Sequence, residues 1–280
     1  MIGRQRLYLP PDRLRRVMEL FGYYPCTADF ARICSAFGDF AEGLFVYLGA
    51  RRTDSIDYSD FEGASVTHDM NRPLPEQLRE QYSAVLDGGA LEHIFNFPIS
   101  IKNCMEMVRV GGHYLAITPA NNFFGHGLYQ FSPELYFSVL SEDNGFEVER
   151  MYAFEDVPEA AWYAVSSPRA VRGRVTLMNS CGVYLLIIAR RVANRPIFER
   201  TPQQSDYVDR WEGVAESPGA PTAPAPRSLP IRLAKLVLPQ SLRLLIRKAF
   251  TRPERPRLGF DPKFFQPFDP MPQRTASSER

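Results

Sequence analysis

Carboxylates, imidazoles and a phenol gather between positions 85 and 134. Val85-Leu86-Asp87-Gly88-Gly89-Ala90-Leu91-Glu92-His93 sets an acidic residue and two glycines directly after an apolar run. Asn121-Asn122-Phe123-Phe124-Gly125-His126-Gly127-Leu128-Tyr129-Gln130-Phe131-Ser132-Pro133-Glu134 sets His126 between two glycines, beside Tyr129 and Glu134. A histidine titrates near neutrality and can take a proton from a hydroxyl that is being alkylated or acylated. His126, in a tightly shaped loop, is the better candidate for that work; the alternative is a Gly-His-Gly turn packed under Phe123 and Phe124. His93 follows a strand and a turn, so ordering the loop through a backbone carbonyl is favoured over acting as a base. Asn121 and Asn122 bind a polar group or make an Asx turn. Tyr129, Phe131 and Trp162 form a stacking wall or belong to the core.

Such groups need a scaffold that brings them to one edge. The spacing of Leu14, Val17, Met18 and Phe21 predicts a helix over 12–21. A first strand is expected over 31–36, leading into Phe37-Gly38-Asp39, and a helix over 41–48. Short strands follow over 53–57 and 64–68, the second ending at Asp69. A short helix near 76–80 precedes a fourth strand over 82–86, a helix over 99–108 and a fifth strand over 113–118. Ser132 caps a helix that begins at Pro133 and runs to 140. Strands over 145–152 and 183–189 close the domain, with the segment around Trp162 and Tyr163 as an insertion. Strands alternating with helices imply βαβ units and a mostly parallel sheet, and ligands of such sheets bind beyond the carboxyl ends of the strands. The last two strands lack a helix between them, which suggests an antiparallel hairpin at the sheet edge.

The 280 residues suffice for one α/β domain plus an appendage. The domain is expected over 28–211, behind an N-terminal helical segment over 1–27. Net charge divides unevenly: residues 231–280 carry +7 and the preceding 230 carry −6. An acidic body is a poor general binder of nucleic acid, and none is expected as a partner. The four cysteines show no CxxC spacing and no zinc-type Cys/His pattern, so no metal is expected. No apolar run reaches the ~18 residues of a membrane span. With reduced thiols and no signal-like start, a cytoplasmic protein is the expectation.

In the order and spacing of its motifs, the stretch over 28–192 resembles class I S-adenosylmethionine-dependent methyltransferases, nearest the subgroup common in bacterial polysaccharide gene clusters. The residues that carry the resemblance are Asp54-Ser55-Ile56-Asp57-Tyr58-Ser59, His68-Asp69-Met70-Asn71, Asp87 through His93, Val110-Gly111-Gly112, and Gly125-His126-Gly127 with Tyr129 through Glu134. The resemblance implies a Rossmann-like seven-stranded sheet, mostly parallel, the last strand antiparallel, with helices on both faces. It implies S-adenosyl-L-methionine as cofactor. Asp57 would bind the ribose hydroxyls, Asp69 would flank the adenine, and Asp87, Gly88 and Gly89 would lie under the methionine end. Taken from residue chemistry alone, a ligand role is favoured over a helix cap for Asp57, and Asp69 is equally suited to forming a turn. The glycine-rich loop of the family corresponds to Ser35-Ala36-Phe37-Gly38-Asp39-Phe40-Ala41-Glu42-Gly43, which keeps Gly38 but flanks Gly38-Asp39 with phenylalanines. His126, His93 and Tyr129 would face a small-molecule or glycan acceptor.

The altered loop motivates an alternative: a binding or scaffold protein that kept the fold and filled the crevice with Phe37 or Phe40. A nicotinamide enzyme is poorly supported, since no G-x-G-x-x-G follows the first strand. Beyond residue 211 a proline-rich linker over 212–230 leads to a basic amphipathic stretch over 231–250. That stretch could contact an anionic membrane surface or a protein partner. The last thirty residues, rich in proline and phenylalanine, are expected to lack fixed structure.

Overall fold

The computed structural model of the chain describes residues 1–211 and 258–271. In chain order its strands are β1 (Ala36–Asp39), β2 (Ile56–Asp57), β3 (Val66–Thr67), β4 (Tyr82–Asp87), β5 (Val108–Asn121), β6 (Phe146–Glu155), β7 (Trp162–Val165), β8 (Val183–Arg191) and β9 (Phe265–Phe268). The helices are α1 (Pro11–Leu20), α2 (Thr27–Ser35), α3 (Glu42–Tyr47), α4 (Phe97–Met107), α5 (Pro133–Val139), α6 (Pro168–Val171) and α7 (Ser205–Trp211).

Six strands pair in the order β4-β5-β8-β6-β7-β9, and β2 and β3 form a separate parallel pair. Ile2 joins the two sets through parallel bridges to Ile56 and Asp87. Its N–H donates to the Leu86 carbonyl at 2.8 Å, and the Gly3 N–H donates to the Ile56 carbonyl at 2.8 Å. The residues around Ile2 thus hold the central place between β2 and β4. The expected first strand over 31–36 is instead the end of α2, whose Ile33 packs on Leu14 and Met18 of α1. With the central slot already filled, that apolar run has only one neighbour to face, and one buried residue per two turns is a helical pattern.

In place of the expected seven-stranded, mostly parallel sheet, the described residues form a mixed α/β arrangement with a six-stranded sheet and a two-stranded parallel pair. Within the six-stranded sheet only β4–β5 is a parallel ladder; β5–β8, β8–β6, β6–β7 and β7–β9 are antiparallel. The cause is β8, which returns between β5 and β6, so those two strands keep one direction while both their ladders to β8 are antiparallel. The helix-poor connection predicted as an edge hairpin is therefore an interior one. The supposed insertion contributes β7, and β9 adds the outermost strand from a tail expected to lack structure. Pro267 sits in β9, where an outer strand tolerates a residue that cannot donate to a ladder.

Alternate residues of β8, Val183, Leu185, Ile187 and Ala189, are buried, as a strand packed on one face requires. They share a core with Tyr114 and Ala116 of β5 and with Ile101, Cys104 and Met105 of α4. Pro at the first helical turn and a Ser132 side chain that accepts from the Leu135 N–H open α5 as its sequence predicts. Among the described residues no helix is long and apolar enough to cross a membrane. The proline-rich linker and the basic 231–250 stretch lie outside the described residues.

Candidate functional site

A cavity of ≈ 310 Å³ opens at the carboxyl ends of β2, β3 and β4, beside Ile2. Its floor and walls come from Gly3, Arg4 and Gln5 after the central pairing, Asp57 and Tyr58 after β2, His68 to Asn71 after β3, and Gly89, Ala90 and His93 after β4. Parallel strands end here with their loops diverging, and that divergence is what leaves space. A slightly larger cavity, ≈ 350 Å³, lies at the opposite strand ends around Arg79, Glu80, Glu106 and Arg191. There the Arg191 guanidinium already donates to the Val108 carbonyl at 2.6 Å and pairs with Glu80 at 2.9 Å, an arrangement that holds strands together.

Asp57 ends β2 at the cavity wall, and its Oδ1 accepts the N–H of Tyr58 at 2.6 Å. That leaves Oδ2 as the outer acceptor. Asp69 also lines the cavity while closing a turn: Oδ1 accepts from the Asn71 N–H at 3.0 Å and from its amide at 2.9 Å. These bonds from Asn71 hold the Asp69 carboxyl below its ordinary range. Turn formation and a place in the cavity wall coexist. The segment behind is fixed by Asn103 of α4, buried, which accepts from the Leu74 N–H at 2.9 Å and donates to the Met70 and Arg72 carbonyls.

Gly3 and Gly89 both adopt positive φ, +65° and +94°, at facing strand ends. Only glycine takes that backbone cheaply and lets the chain approach a ligand closely. Arg4 anchors this first loop: its Nε bonds buried Glu42 at 2.6 Å, its Nη1 bonds the Glu62 carbonyl at 2.6 Å, and its guanidinium covers the Phe40 ring. Phe40 is therefore engaged with arginine and is not among the residues lining the cavity.

Three expected cofactor positions lie outside the cavity lining. Gly38 lies in β1, away from the lining, with open space where a Cβ would be. The glycine that follows the central strand position is Gly3, because residues 1–3 occupy that position. Asp87 is fully buried; its Oδ1 accepts the N–H groups of Ala90 at 2.8 Å and Leu91 at 3.4 Å, so it shapes the turn from beneath. Burial pushes its carboxyl up to about 7 against the pull of those backbone bonds, with the Glu92 charge adding to the rise. Gly88 is packed against Gln5, whose Oε1 lies 2.3 Å from where a Cβ would stand. Of the predicted Asp87-Gly88-Gly89 set, Gly89 alone faces the cavity.

His93 and His126 meet edge to face, ring centroids 5.1 Å apart. His93 also lines the cavity, whereas His126 is not among its lining residues. The carboxylate beside His126 is Glu92, at 3.5 Å from Nε2, and not the expected Glu134, which accepts instead from the backbone and hydroxyl of Ser205. Glu92 is 1% exposed. It was the missed residue: it stands next to His93 in the motif, but a glutamate in a charged turn reads as solvated. Tyr129 donates its hydroxyl to the Phe95 carbonyl at 2.6 Å and stacks with Phe131, so it is wall and brace. Phe131 is buried against Phe97, whereas Trp162 stacks on Phe154 in β6. Asn121 and Asn122 are tied to Asn179, and Asn122 also to the Cys181 carbonyl.

No protein-family profile and no curated relative matches the chain. Solved structures give loose likenesses. One is a Bacillus halodurans C-125 protein provisionally described as a methyltransferase, 13% identical, spanning 55% of this chain and 87% of its own, with a TM-score of 0.37. Another was solved in work on conversion of a disulfide bond into a thioacetal group during echinomycin biosynthesis, at 12% identity, spanning 72% of this chain and 95% of its own, with a TM-score of 0.32. Both likenesses are too loose to place residues or to assign an activity.

Proposed function

We propose that the chain is an S-adenosyl-L-methionine-dependent methyltransferase that acts on an oxygen, less readily a nitrogen, of a small or glycan-linked acceptor. The observation that carries this reading is the meeting of Asp57, Asp69, Gly3 and Gly89 around one cavity at adjacent strand ends. The cavity's volume lies in the ~300–1,000 Å³ range of small-molecule sites.

The donor set fits an adenosyl ligand. Asp57 offers a carboxylate acceptor to a ribose diol, the strongest kind of neutral-to-charged bond a sugar can make. Asp69, held ionised by Asn71, accepts from an exocyclic amine. Gly3 and Gly89 offer backbone where bulk would obstruct. The cofactor, when bound, supplies a methyl group on a positively charged sulfur. The residues of the chain then hold the acceptor in line and remove its proton. His126, with buried Glu92 behind it and His93 beside it, would take that proton; Tyr129 shapes the wall.

The test is calorimetric titration of the purified chain with S-adenosylhomocysteine. Micromolar binding is expected, weakened about 10- to 100-fold in Asp57→Ala through loss of charge-assisted bonds. No heat at high micromolar ligand removes the cofactor from the account.

A further inference from the structure

Glu92 presents a problem that methyl transfer alone does not solve. Its carboxylate is buried, its Oε1 stands 3.5 Å from His126 Nε2, and its Oε2 has no hydrogen-bond partner among the described residues. A buried carboxylate is ordinarily paired, fully hydrogen-bonded, or bound to a metal. The ligand atoms of Glu92, His93 and His126 all lie within 4.8 Å of one another. The chain has four histidines, and two of them stand at this one carboxylate.

From this cluster we infer that Glu92, His93 and His126 form a binding site for one divalent transition metal of the zinc class. Three arguments favour it. Two imidazoles and a carboxylate suit zinc and its neighbours, whereas magnesium and calcium want oxygen throughout. Metal–ligand bonds of about 2.0–2.1 Å at tetrahedral angles put donor atoms roughly 3.3 Å apart, close to the 3.5 Å between Glu92 and His126. The scaffold is also rigid: the Glu92 carbonyl accepts the N–H groups of Leu128 at 2.7 Å and Tyr129 at 3.3 Å, clamping the His126 loop onto the Glu92 turn. Gly127 makes that clamp possible, since its positive φ and a Cβ position 2.9 Å from the Glu92 carbonyl oxygen exclude any side chain.

Three protein ligands leave a coordination position open, the pattern of reactive rather than structural zinc sites. Both imidazoles are exposed, so that position would be open to solvent, beside the cavity that His93 lines. A metal there would acidify a coordinated hydroxyl or water. His126 would then act by ligation, the lone pair of its Nε2 being held by the metal. Metal binding would replace the proton-accepting role of His126 by ligation while leaving the adenosyl cavity as described, and its test needs no adenosyl ligand.

The experiment titrates the full chain, stripped with chelator, with Zn²⁺ against a chromophoric competitor, and repeats it with Co²⁺ for its visible absorption. One equivalent of zinc is expected, with cobalt bands of four- or five-coordinate intensity. His126→Ala and His93→Ala, both at exposed positions, should each weaken binding about 100-fold or more, with unchanged circular dichroism. Glu92→Gln should do the same if it folds, and His113→Ala should change nothing. Absence of stoichiometric uptake, or uptake indifferent to His126→Ala and His93→Ala, overturns the proposal.

Discussion

At the scale of single residues, two glycines one position apart from His126 on either side have opposite standing. Gly127 takes φ +66° with the Glu92 carbonyl oxygen 2.9 Å from a would-be Cβ, while Gly125 has nothing within 4 Å. Gly127→Ala should lower stability by about 1–3 kcal/mol, from left-handed strain plus displacement of the clamped loop. Gly125→Ala should stay within about 0.5 kcal/mol of the parent. Denaturant midpoints for the two variants check this directly; equal effects would mean the loop is not held as described. The same contrast shows what sequence patterning conveys at this scale. Gly-His-Gly announces a shaped loop, but which glycine is obligatory depends on the carbonyl of Glu92, far earlier in the chain. Glu92 was hidden for the same reason, because its burial is created by the later loop lying over it.

At the scale of elements, Asn103 on α4 positions the cavity wall from behind. It satisfies the Leu74 N–H and the Met70 and Arg72 carbonyls, fixing the turn that presents Asp69. Asn103→Ala should cost about 1–3 kcal/mol by stranding buried backbone groups. It should also weaken adenosyl-ligand binding although Asn103 touches no ligand. Thermal denaturation and calorimetry on one preparation separate the two effects. The elements themselves were legible where periodicity was long: α4, β5, β6 and β8 occur within a few residues of their expected bounds. They were illegible where pairing is short. The central strand position is filled by residues 1–3, too few to show any alternation, and its absence from the pattern shifted the predicted loop to Gly38. The edge strand β9 was missed because Pro267 argues against a strand everywhere except at an edge.

At the scale of the molecule, the buried Asp87 couples folding to pH. Its carboxyl titrates near 7 in the fold, against about 3.9 in an unfolded chain. Between those values the folded chain binds more protons than the unfolded one, so stability falls as pH rises. The contribution is complete below about pH 4 and gone above about pH 7; it amounts to roughly 4 kcal/mol. Urea midpoints of the metal-free chain should decline from pH 5 to pH 8, and Asp87→Asn should flatten that slope. A parent slope of zero would contradict the burial of an ionisable carboxyl beneath the turn. Sheet order belongs to this scale too. Local sequence indicated strands joined without a helix, but only the whole arrangement places β8 between β5 and β6.

The central claim is that the Asp57 carboxylate grips the ribose of an adenosyl cofactor in the cavity beside Ile2. It is tested most directly by crossing Asp57→Ala with removal of one ribose hydroxyl from the ligand. Affinities for S-adenosylhomocysteine and its 2′-deoxy analogue should differ about 10-fold or more in the parent chain and converge in Asp57→Ala. Equal affinities in the parent, or a difference that survives Asp57→Ala, would contradict the account.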